Sequence, residues 1–303
     1  MAHGALYRRI VLTCGIPLGI AILLSGCDSS NAAEELPEKN LAKWTSPLDG
    51  FVPKKEVAAT YASLLLDAHC MQEAGYSNWA LPWRETDPDP GPGWNGVGIR
   101  LFDQELASSY GYRIPPPVRS EFNPDWDAFA ASHNAALPEA EQQQFSQCAD
   151  QDRREHRAVN IDGGTLNLAM SYMSVASDKA RASTEVRDAA KRWRTCMKPL
   201  GVIDLPDTPE DMPSHSMDTE YQIAGHLEEP ASAAEIRLAV ADAQCRTSSA
   251  FASTFYDIRW SESLTLYRDN RERLETARQQ LIEHDTAVQK VINDYAPSKP
   301  AER

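Results

Sequence analysis

Val57-Ala58-Ala59-Thr60-Tyr61-Ala62-Ser63-Leu64-Leu65-Leu66-Asp67-Ala68-His69-Cys70-Met71-Gln72-Glu73-Ala74-Gly75 is the stretch from which the fold is read. Val57, Tyr61, Leu64, Leu65, Ala68 and Met71 recur at i, i+4, i+7, i+8, i+11 and i+14, the spacing of one apolar face of an α-helix. Pro53 suits the first turn, where a missing N–H costs nothing. Gly75 suits the end, because glycine enters the left-handed region that closes helices. The expected helix therefore runs from 53 to 74, with Cys70 one turn before its end.

The same arrangement returns further on. Val186, Ala189, Ala190, Trp193, Met197 and Leu200 form a second stripe, followed by Gly201, and Cys196 again precedes the Met. Pro199 stands inside the last turn of this copy and should end or tighten it early. Each copy is followed by another cysteine on a helical stretch, Gln147-Cys148 and Gln244-Cys245. The chain thus reads as two related helical units, 53–159 and 178–258, plus a C-terminal helix over 259–296. The fold expected is mainly α: a helical bundle with two disulfides, a long irregular aromatic, Pro- and Gly-rich region and a long C-terminal helix.

Two disulfides are expected because of the start of the chain. Arg8-Arg9, an apolar run from Ile10 to Leu24, and a small-residue site are the three parts of a secretory signal. Leu24-Ser25-Gly26-Cys27 has the form of a bacterial lipobox, in which the Cys is acylated. Gly15, Pro17 and Gly19 interrupt the run, which is shorter than the ~20 residues a membrane span needs. Residues 1–26 are therefore expected to be a lipoprotein signal peptide, and 27–46, small, polar and acidic, a flexible tether. Residues 47–303 become an extracytoplasmic domain anchored to the outer face of the cell membrane through Cys27. In that oxidising setting Cys70, Cys148, Cys196 and Cys245 form two bridges with three possible connectivities. Closing each unit on itself gives Cys70–Cys148 and Cys196–Cys245; linking equivalent ends gives Cys70–Cys196 and Cys148–Cys245. The first closes the shorter loops.

Charge excludes some functions. The formal charge of the 303 residues is −14, and it becomes more negative once Arg8 and Arg9 are lost. Such a chain repels nucleic acid and has no polybasic patch for anionic lipid.

Residues 76–127 are broken by Pro82, Pro88, Pro90, Pro92 and Pro115–Pro117 among several glycines, with one short helix expected at Asp103–Tyr110. Trp79, Trp83, Trp94 and Trp126 crowd this segment. They read either as a platform for a sugar or an apolar ligand, or as rings that anchor an irregular segment into the helical core. A further helix is expected over 138–159, ending near Asp162-Gly163-Gly164, and a second loop over 202–230. Residues 231–296 contain no Gly and no Pro, and Ser232-x-x-Glu235 is a capping box at their start. Trp260, Tyr267, Leu274, Leu281 and Val288 recur every seven residues. An unbroken helix would be roughly 100 Å long, so it should bend, between Tyr256 and Ser261, or project. One apolar residue per heptad needs another surface to cover it, the body of this chain or a partner's helix.

No G-x-S-x-G, S-x-x-K, H-E-x-x-H or P-loop is present, no C-x-x-C occurs, and Asp87–Gly98 lacks the Glu of a calcium loop. No enzymatic activity and no cofactor are expected. Met212-Pro213-Ser214-His215-Ser216-Met217 places two thioethers and an imidazole together, a soft donor set suited to Cu(I), and is equally the composition of an ordinary exposed loop.

Taken together, the lipobox, the doubled Cys-Met-x-x-x-Gly, Trp193-x-x-Cys196-Met197 and Ala107-Ser108-Ser109-Tyr110-Gly111-Tyr112 resemble a group of secreted actinobacterial lipoproteins. The resemblance covers residues 53–250. It implies a cell-surface setting, a helical disulfide-bonded fold and an association with envelope transport systems, and it brings no enzymatic activity. The function expected is a non-enzymatic accessory or interaction protein of the bacterial cell envelope with a protein partner there; the alternative is a lipoprotein that binds a small ligand such as a sugar, a peptide or copper.

Overall fold

The computed structural model describes residues 36–87, 102–113, 124–134, 137–227 and 229–300. Cys27, Trp94, the leader, the first part of the tether and the end of the calcium-like stretch lie outside them. Among the described residues there are ten α-helices and no strand: α1 (Glu56–Glu73), α2 (Gln104–Tyr110), α3 (Pro124–Asn134), α4 (Glu139–Glu155), α5 (Gly163–Ala182), α6 (Thr184–Met197), α7 (His215–Tyr221), α8 (Ala233–Ser248), α9 (Phe251–Asp269) and α10 (Arg271–Tyr295). None of these is long and apolar enough to cross a membrane.

The α1 stripe packs as its spacing requires. Tyr61, Leu65, Ala68 and Met71 are buried against Cys148 of α4 and Val288 and Val291 of α10. The helix starts three residues after Pro53, which lies outside it. Glu73 is its last residue, and Gly75 follows at φ +96°. The α6 stripe is buried from Val186 to Met197. Pro199 does end that helix early, turning 198–200 into a 3₁₀ turn before Gly201 at φ +78°. Leu200, at the tip of the stripe, is exposed.

Four boundaries differ from the sequence reading, each for a local reason. The helix expected to end near Asp162 stops at Glu155. Asp162 instead opens the next helix, α5, accepting from Thr165 N at 3.0 Å; a side-chain oxygen that caps an N-terminus outweighs the two glycines after it. Residues 202–230 hold the short helix α7 rather than loop alone. The C-terminal stretch is three helices, and its breaks fall at 249–250 and 270, not between Tyr256 and Ser261. At the first, Arg192 of α6 donates to the carbonyl of Ser249 at 2.9 and 3.2 Å, and Ala250 takes φ +56°. At the second, the Asn270 side chain donates to the Leu266 carbonyl at 2.9 Å and accepts from Tyr172 Oη at 2.9 Å. Asn side chains compete with the backbone for helical hydrogen bonds, and here a tyrosine from α5 holds the competing geometry.

The weak heptad seam finds its cover within the chain. Leu274 packs with Leu48, Phe51, Val52 and, on α5, Leu168 and Met173. Val288 packs on α1. The capping box is half formed: Ser232 Oγ accepts from Glu235 N at 3.1 Å, but the Glu235 carboxylate turns into the protein.

Candidate functional site

The bridges are Cys70–Cys148 and Cys196–Cys245, the pairing that closes each unit on itself. Each crosslinks two helices, α1 to α4 and α6 to α8, and each carries buried carboxylates beside it. These carboxylates, together with a cavity next to the first bridge, are the chemically distinctive parts of the molecule.

Beside Cys196–Cys245 the acids are fully partnered. Asp242, one turn before Cys245 and wholly buried, accepts four hydrogen bonds. Arg246 donates to both its oxygens, at 3.0 and 2.8 Å, Trp193 Nε1 at 2.7 Å and Tyr112 Oη at 3.1 Å. Burial, reinforced by the Asp242 charge, holds the Tyr112 phenol well above its ordinary range. Glu235 accepts from Arg113 Nε at 3.2 Å and from Tyr112 N at 3.1 Å. Arg113 in turn donates to the Tyr221 carbonyl at 3.0 Å, joining α2, α7 and α8. Gly111 permits this approach: a Cβ there would meet Glu235 Oε1 at 2.6 Å.

Beside Cys70–Cys148 the two ends differ. Toward the C-terminus of α1, Trp79 Nε1 donates to Glu141 Oε1 at 2.6 Å, and Asn78 Nδ2 to the same oxygen at 3.0 Å. Toward the N-terminus, Asp67, three residues before Cys70, lies across the seam from Asp152, four residues after Cys148 and tied through Asn160 to Ser63 of α1. Both are more than nine-tenths buried. Asn160 Nδ2 donates to Asp152 Oδ2 at 3.1 Å, while the Oδ1 atoms of Asp67 and Asp152 have no hydrogen-bond partner. Burial first, and then the neighbouring Asp152 charge, push the Asp67 carboxyl up to about 6, against the pull of Arg153. Burial also raises Asp152, opposed by the Asn160 hydrogen bond and by His156 and Arg153.

A cavity of about 410 Å³ opens beside this pair, with Thr60, Ser63, Asn160, Leu166, His284 and Asp285 in its wall. Ser63 Oγ donates to Asn160 Oδ1 at 3.4 Å, so the wall is continuous with the acid pair. His284 is buried and its Nδ1 lies 2.9 Å from the Ala158 carbonyl. A carbonyl only accepts, so Nδ1 carries the proton, and in the neutral ring Nε2 is an acceptor.

The sequence-derived candidates fall elsewhere. Trp79 is buried in the core, its ring stacked on Phe145 at 4.9 Å. Trp126 lies edge-on to Tyr61 at 5.9 Å, with the Arg84 guanidinium 4.6 Å over it. Trp83 has Lys299 over its ring at 5.3 Å. Trp79 and Trp126 both pack on Phe129, with ring centroids at 6.5 and 5.9 Å. Of the copper candidates, Met217 is buried, Met212 packs toward Trp193 and Met197, and His215 is exposed. Among the described residues no group of three or more His, Cys, Asp or Glu is arranged to hold a metal ion. Sequence reasoning passed over Asp67, Asp152, Asp242 and His284. Two carried a signal: Asp67 stands four residues before Met71 at the edge of the apolar stripe, and His284 stands between Leu281 and Val288 on the seam.

The chain matches no family model, no curated protein and no solved structure.

Proposed function

We propose that this chain is a membrane-tethered extracytoplasmic lipoprotein, held to the bilayer by acylation of Cys27, that acts as a non-enzymatic accessory or interaction protein of the bacterial cell envelope. The observation that carries this reading is the pairing of all four cysteines after Cys27. Stable disulfides belong to oxidising compartments, the setting that Leu24-Ser25-Gly26-Cys27 implies independently. Support for an interaction role comes from the loop after α6, where Leu200 is 42% and Ile203 93% exposed, apolar side chains presented to solvent beside the second bridge. The lipid attachment is tested by metabolic labelling with a fatty-acid probe: the wild-type chain should be marked and Cys27→Ala should not. Label on the variant would overturn the tether. The interaction role is tested by placing a photo-crosslinker at Ile203 in intact membranes, with the same probe at exposed Lys191 as reference; equal labelling patterns at the two positions would count against it.

One observation favours a second reading, a lipoprotein that takes a small ligand: the cavity walled by α1, α5 and α10. Its polar wall residues, Thr60, Ser63, Asn160 and His284 among them, suit a hydroxyl- or amine-bearing molecule. A ligand raising the melting temperature of wild type, and not of His284→Phe, would establish it.

A further inference from the structure

We propose that Asp67 and Asp152 form a proton-binding carboxyl pair, which latches α1 to the corner between α4 and α5 in mildly acidic medium and loosens that wall of the cavity when the proton leaves. A buried carboxylate ordinarily collects several donors, because an unmet charge inside a protein is costly. Asp242 collects four. Asp67 and Asp152 have between them the single donor of Asn160, and each leaves a buried oxygen unmet. Burial disfavours charge on Asp67, the neighbouring Asp152 charge disfavours it further, and a proton on Asp67 removes both penalties.

Geometry prevents the pair from escaping by moving apart. The bridge Cys70–Cys148 lies one turn away on both helices, and on the far side Ser63 and Asn160 close the same seam. The groups around the pair supply no buried cation. On α4, Arg153 is exposed and paired with Asp150, and His156 stands at the helix end. From α10, His284 is turned to the Ala158 carbonyl and Asp285 lines the cavity. From α1, the near polar group is neutral Ser63. The raised Asp67 carboxyl agrees with this arrangement.

The sign follows from linkage. The folded chain holds a proton on Asp67 up to about pH 6, whereas an unfolded Asp releases it near 3.9. The pair's contribution to stability is therefore complete below about pH 4 and is lost as pH rises through about 6. The test is thermal melting of the full chain in detergent, disulfides intact, between pH 4.5 and 7.5. Asp67→Asn should melt close to wild type at pH 4.5 and about 5 °C above it at pH 7.5. Infrared spectra give a second reading. Wild type should show a protonated-carboxyl C=O band at pH 5 that disappears by pH 7.5, and Asp67→Asn and Asp152→Asn should each lack it. A variant that melts below wild type at both pH values, with the infrared band unchanged, would overturn the proposal. So would a rise in the wild-type melting temperature on adding calcium at pH 7.5 that Asp67→Asn does not share, since the oxygens would then hold a cation.

Discussion

The two disulfide-linked helix pairs share a motif and differ in what lies beside the sulfurs. Three residues before Cys196 stands Trp193, an indole aimed at Asp242; three residues before Cys70 stands Asp67, a buried carboxyl with an unmet oxygen. The α6–α8 pair is closed by a satisfied ionic network reaching to α2 and α7. The α1–α4 pair is satisfied at its Trp79–Glu141 end and left short of donors at its Asp67–Asp152 end, beside the cavity. Two bridged helix pairs with the same Cys-Met-x-x-x-Gly spacing thus give a fixed joint in one place and a proton-dependent joint in the other. Buried charge stabilises only when its partners are present, and otherwise serves as a reservoir of responsiveness.

The largest effect expected from breaking this comparison is at Asp242. Asp242→Ala leaves Arg246 buried without its carboxylate and strands two further donors, so chemical denaturation should show a loss of about 3–5 kcal/mol. Replacing Asp67 by Asn should act in the opposite direction at pH 7.5, and a shared sign would erase the contrast between the two joints. Next come the bridges. Cys148→Ser and Cys245→Ser should each cost about 2–4 kcal/mol. The first closes the longer loop, a separation of 78 against 49 residues, so its loss should be the greater by a few tenths of a kcal/mol at pH 4.5. At pH 7.5 that order should narrow or reverse, because cutting the first bridge also lets the two acids separate.

Smaller effects sharpen the pairing of the two indoles. Trp193→Phe removes one donor from a wholly buried Asp242 and should cost about 1.5–3 kcal/mol, as hydrogen bonds to charged groups do. Trp79→Phe should cost about as much, since Glu141 keeps Asn78 just as Asp242 keeps Arg246 and Tyr112. The smallest expected losses are at the two helix ends. Gly75→Ala and Gly201→Ala each force a side chain into positive φ with open space around it, at about 1 kcal/mol apiece. Equal losses would support the equivalence of the two motifs; a large difference would mean that their surroundings, and not their backbone, set the helix ends.

Sequence periodicity determined much of this molecule on its own. The α1 and α6 stripes, their closing glycines, the early stop at Pro199, the absence of strands among the described residues and the pairing Cys70–Cys148 and Cys196–Cys245 all follow from local chemistry: side-chain spacing, the conformational range of Gly and Pro, and loop length. Tertiary structure alone decided the rest. Arg192 and Tyr172, distant in sequence, chose where the C-terminal stretch breaks. Glu235 reads as a capping residue and is taken instead by Arg113. Asp67 is an unremarkable acid at the edge of a stripe until the Cys70–Cys148 bridge sets α4, with Asp152, across the seam from it. The physical reason is that a residue's apolar face is a local property, whereas a charge acquires its role from whichever partners the fold sets within a few ångströms of it, and those partners come from other elements of the chain.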